Sequence, residues 1–150
     1  MKLEEKIRTD LNKALKEKDR LKIATLRFLL AEIHNFWMEK QKELSDEDII
    51  SVIRRQVKLR REAIEAYKKA SRNDLAEKES KELEILSKYL PQEMPAGELE
   101  KLVKETIAET GAVGLKDFGK VMGMVMAKIK GRAEGSEVSQ IVKKQLAISN

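Results

Sequence analysis

Apolar residues return at every third or fourth position from Leu3 to Leu15, Ile23 to Trp37, Ile50 to Tyr67 and Leu75 to Leu90, and no segment alternates with period two. That spacing predicts four helices. Their starts carry residues that accept hydrogen bonds from unpaired backbone amides: Asp19 before "RLKIATL", Ser45 with Asp48 three residues on, and Asp74 with Glu77 three residues on. The only two prolines, Pro91 and Pro95, bracket "YLPQEMP", where a helix must stop. Beyond them come three shorter stripes: Leu99, Leu102, Val103 and Ile107; Leu115, Phe118, Met122, Val125, Met126 and Ile129; and Val138, Ile141, Val142 and Leu146. The expected fold is all-α, an N-terminal four-helix part over residues 1–90 followed by a C-terminal three-helix part over residues 91–150.

Composition removes much chemistry. The 150 residues include no cysteine and one histidine, so disulfides, thiolate metal sites and a cysteine nucleophile are excluded. No metal site, cofactor or catalytic residue is expected. The longest apolar run, "IATLRFLLAEI", is broken by Arg27 and Glu32, and the N-terminus lacks the apolar stretch of a signal peptide, which points to a cytosolic protein without a membrane span. A formal charge of +5 with 38% charged residues permits a nucleic-acid partner without demanding one.

Some charges fall among apolar positions. Arg27 and His34 lie within the stripe of Ile23, Leu26, Leu30, Ile33 and Trp37, and Glu79 and Glu82 lie within that of Leu75, Leu83, Leu86 and Leu90. A buried guanidinium needs a partner, so an interhelical ion pair between Arg27 and Glu82 or Glu79 is expected; an anion site facing a cleft is the alternative. His34 reads as a satisfied histidine at the edge of the core. Along the third helix, Arg54, Lys58, Arg61, Lys68 and Arg72 project along one line interrupted by Glu65, a track for a phosphate backbone or a solvated face.

Glycine clusters in "GKVMGMVMAKIKGRAEGSEV", residues 119–138. Gly119 and Gly123, four apart, share one side of the sixth helix and predict close packing against another helix, with Met122 and Met126 as filler and Met124 turned away. Gly131 suits a left-handed cap, and Gly135 with Ser136 opens the last helix. Arg132 lies between two turns just ahead of a helix N-terminus, where an anion could sit.

"KYLPQEM", "DFGKVMGMVMAKIKGRAEGSEV" and the closing "VKKQL" resemble the GatB/YqeY family, specifically its free-standing YqeY-like members, and "TLRFLLAEI" and "RNDLAEKESKELEILSKYLP" extend the similarity over essentially the whole chain. Glu134 departs from the family pattern, which usually has Asp there. The resemblance implies a C-terminal part similar to the tail domain of the B subunit of tRNA-dependent amidotransferases. It implies tRNA contact through Lys120, Lys128, Lys130 and Arg132 on the loop that Gly131 shapes, and the third-helix line of Arg54, Lys58 and Arg61, read from its spacing alone, offers a second stripe. It also carries a link to glutamine-dependent carbon–nitrogen ligases, yet the chain has neither an amidase glycine-serine signature nor a phosphate-binding loop. The expectation is an accessory protein binding tRNA; the alternative is a protein-interaction module docking on an amidotransferase or an aminoacyl-tRNA synthetase.

Overall fold

The computed structural model describes residues 2–148, and no strand occurs among them. The chain divides into two compact units, Met1–Leu90 and Pro91–Asn150. No helix among the described residues is long and apolar enough to cross a membrane.

The first unit contains α1 (Lys2–Glu17), α2 (Arg20–Lys40), α3 (Asp46–Lys69) and α4 (Asn73–Ser87). Two starts follow from local chemistry. Asp19 accepts the Lys22 amide at 3.2 Å, and Ser45 and Asp48 form a reciprocal capping box, each side chain accepting the other's backbone amide, at 3.2 and 2.9 Å. At α4 the expected cap is replaced. Arg72 is the cap residue and makes no side-chain cap bond, while the Asp74 carboxylate lies inside the first turn and accepts from the Arg72 guanidinium at 3.2 Å.

Ile7 of α1, Leu26, Leu29 and Ile33 of α2, Ile49, Val52, Ile53 and Val57 of α3, and Leu86 of α4 close one core, with Leu44 from the α2–α3 loop. Burying each large aliphatic side chain stabilises the unit by about 1.5–3 kcal/mol. The Tyr89 hydroxyl donates to the Asp10 carboxylate, fastening the end of α4 to α1. Burial, then this hydrogen bond, pushes the phenol pKa up.

The buried face of α2 differs from the sequence expectation. It centres on Leu26, Leu29 and Ile33, and Trp37 is 48% exposed. With 100° between successive residues, this rotation carries Arg27 and His34 out of the core onto the exposed side. Arg27 is therefore not the buried guanidinium.

The second unit contains α5 (Ala96–Thr110), a 3-10 turn (Leu115–Asp117), α6 (Phe118–Ile129) and α7 (Gly135–Ile148). Leu99, Val103 and Ile107 meet Val121, Val125 and Ile129 and the stripe Val138, Val142 and Leu146, with Met94 and Ala133 from the loops. Gly111 ends α5 at φ 69°, a left-handed conformation that its missing Cβ makes accessible.

The stretch around the prolines is stitched to the α6–α7 loop. The Met94 amide donates to the Arg132 carbonyl at 2.8 Å, and Arg132 Nε donates to the Gln92 carbonyl at 3.0 Å.

Candidate docking surfaces

Each unit carries a surface with exposed apolar side chains that its core does not use. On α6 the positions Val121, Val125 and Ile129, spaced by four, carry the core. Gly119 and Gly123 lie on the opposite side and are exposed. A Cβ added to either would meet nothing within 4 Å. The expectation that these glycines let two helices of this fold approach is thus corrected, because the stripe they flank turns inward and they turn out. Nearby in sequence, Val113 is 56% exposed, Leu115 53% and Met126 38%. Met126, expected as filler, is the exposed methionine, whereas Met124 is half-buried.

The cations expected to engage tRNA are partly engaged within the unit. Lys128 Nζ donates to the Glu109 carboxylate and to Thr106 Oγ1 at 3.2 Å. Arg132 holds Gln92 and places Nη1 3.5 Å from Glu98. Lys130 is exposed and caps α6 at φ 48°, followed by Gly131 at φ 79°. Lys120 is exposed on α6. Acids thus neutralise Lys128 and Arg132 where an anion was expected. On α3, Lys58 and Arg61 are exposed and Arg54 is half-buried. Arg54 and Arg61 both have interaction partners. At the end of this line, Arg72 is bound to Asp74.

The second surface is a cleft in the first unit between α2, α3 and α4, of about 460 Å³. At its floor Arg60, not Arg27, meets the two glutamates: Nε lies 3.3 Å from Glu82 and 4.0 Å from Glu79. Arg60 Nη1 also donates to Gln56 Oε1 at 3.0 Å, and the guanidinium lies 5.6 Å from the Phe28 ring centroid. Burial, then the neighbouring Glu82, raises the Glu79 carboxyl pKa above the usual carboxylate value. The sequence does contain a signal for Arg60. The spacing of Ile49, Val52, Ile53, Gln56 and Val57 continues at threes and fours to Arg60, so the buried stripe carries two polar residues four apart that can satisfy each other.

Fold and surfaces define a small all-helical protein of two units with exposed apolar surface on each. The chain belongs to the YqeY-like protein family, whose model matches residues 4–146. It is 35% identical over 134 residues, 88% of this chain and 74% of the relative, to altered inheritance of mitochondria protein 41, mitochondrial, of Pyrenophora tritici-repentis. The protein of the same name from Lachancea thermotolerans is 31% identical, with 93% of this chain and 78% of the relative covered. A shorter match, 39% over 54 residues, covers 33% of this chain and 9% of the E subunit of the glutamyl-tRNA(Gln) amidotransferase of Thermococcus sibiricus, which supports the relationship to the amidotransferases.

These relatives overturn the reading of a cytosolic tRNA-binding accessory. Proteins matched over most of this chain carry mitochondrial names that say nothing of tRNA. Of the four cations expected at the basic loop, Lys128 and Arg132 are paired with acids, and Lys120 and Lys130 are exposed.

Proposed function

We propose that this chain is a helical docking module that works through a protein partner, an enzyme assembly of the amidotransferase kind, by offering the outward face of α6. The observation that carries this reading is the exposure of Gly119 and Gly123. A glycine inside a helix costs about 1 kcal/mol relative to alanine, and nothing in this fold lies against either position to offset that cost. A partner backbone approaching that face would offset it. The exposed Val113, Leu115 and Met126 supply apolar area close to the same helix. The stretch similar to the E subunit of an amidotransferase supports the choice of partner. The mitochondrial names of the longer matches support a function that does not depend on the cytosol.

The test is biolayer interferometry of the immobilised full chain against a purified, ribonuclease-treated glutamyl-tRNA(Gln) amidotransferase. Saturable binding that survives ribonuclease and disappears in Gly123→Arg is expected, since an arginine at an open helical position preserves the fold while blocking close approach. Absence of binding refutes the proposal, and so does binding that requires RNA.

A further inference from the structure

The cleft between α2, α3 and α4 belongs to the other unit and plays no part in the docking of α6. Its floor carries two carboxylates, Glu79 and Glu82, against one guanidinium, Arg60. Among the groups that line the cleft, carboxylates thus outnumber cations two to one, with Lys78 acting on Glu79 from outside the lining. Glu82 is the better paired of the two, at 3.3 Å, while Glu79 stands off at 4.0 Å. Glu79 also lines the open space of the cleft.

The walls have the opposite character. Phe28 is 49% exposed and Leu59 48%, on different helices that border the same cleft. Two large apolar side chains half in water thus border the more buried Arg60, Glu79 and Glu82. The guanidinium against the Phe28 ring and the Gln56 side-chain carbonyl on Arg60 fix this arrangement before any ligand arrives.

We propose that this cleft receives a basic side chain, a lysine presented next to an apolar residue on a segment of a partner protein. Its stem lies between Phe28 and Leu59, and its ammonium reaches Glu79. The complementarity is specific in sign. An acidic side chain would add a third negative charge beside one guanidinium, and an uncharged aliphatic chain would leave Glu79 with no more than its longer contact to Arg60 and the neighbouring Lys78. A basic side chain brings Glu79 a further cation while covering the apolar rim.

The probe is N-acetyl-leucyl-lysine methylamide, titrated into the isotope-labelled full chain and followed by NMR at Arg60 Nε–Hε, the Leu59 methyls and the Phe28 ring. Controls carry norleucine or glutamate in place of the lysine. Saturable shifts confined to the cleft are expected with the lysine probe only. Glu79→Gln should weaken the interaction about 1.5- to fivefold, the range for a partly exposed charge pair. Phe28→Ala, a change at a half-exposed position that leaves every charge in place, should weaken it as well and serves as the deciding variant if Glu79→Gln disturbs the fold. Equal response to the norleucine probe, no saturable response, or full binding by Phe28→Ala would overturn the proposal.

Discussion

Replacing Gly123 by alanine should make the protein more stable. Gly123 is the sixth residue of the twelve-residue α6, away from both ends, so its backbone bears the full helical restriction. A Cβ built there has no neighbour within 4 Å, so the substitution creates no overlap and buries nothing. Packing and clash thus drop out, leaving the reduced conformational freedom of the unfolded chain, worth about 0.8–1 kcal/mol in a helix interior. If the second unit, Pro91–Asn150, melts in its own transition, that gain corresponds to a rise in its midpoint of about 4–8 °C. Gly119, in the first turn of the same helix, should give a smaller gain. Thermal and urea melts of the full chain by circular dichroism, with amide exchange at Val121, Val125 and Ile129 reporting on α6 itself, measure both. A loss of stability in Gly123→Ala would refute the reasoning, because it would mean that the fold does press against this face. The docking proposal adds a second expectation: the stabilised variant should bind its partner more weakly than the wild type.

Tyr89→Phe should cost about 1.5–3 kcal/mol, the range for a hydrogen bond to a charged acceptor, because it removes the donor to Asp10. The folded state raises the Tyr89 pKa, so the associated stability is fully present below the phenol's ordinary value near 10 and is lost as pH rises beyond it. Urea midpoints between pH 8 and 11 should accordingly fall more steeply in the wild type than in Tyr89→Phe, and parallel curves would contradict the assignment. Arg132→Ala should lower the stability of the C-terminal unit by about 1 kcal/mol by releasing the Gln92 carbonyl and Glu98. Faster amide exchange at Met94 is the local signature to measure, and unchanged exchange there would argue that the loop holds without the arginine.

The helices and most of their starts were legible along the chain because they depend on neighbours three or four residues away. The capping box at Ser45 and Asp48 and the cap at Asp19 are contacts within one turn, and residue types at fixed spacing suffice to predict them. Asp74 shows where such reasoning stops: the helix begins one residue before it, and its carboxylate lies inside the first turn, held by Arg72. The same limit applies to the cations of the C-terminal loop. The partners of Lys128 and Arg132 lie far away in the chain, at Glu109, Glu98 and Gln92, and no local pattern announces them.

Periodicity sets which residues share a face, but it leaves the angle of that face toward the core free by a residue or two. On α2 the neighbouring helices kept Leu26 and Ile33 of the expected stripe but took Leu29 in place of Leu30 and Trp37, and that rotation moved Arg27 into solvent. On α3 the same kind of choice drew Arg60 inward to Glu82. On α6 it turned Gly119 and Gly123 away from the core they had been expected to tighten. Helix formation is thus written into residues a turn apart, whereas the roll of each helix about its axis is settled only when several apolar faces compete for one interior. Both candidate docking surfaces are consequences of that roll.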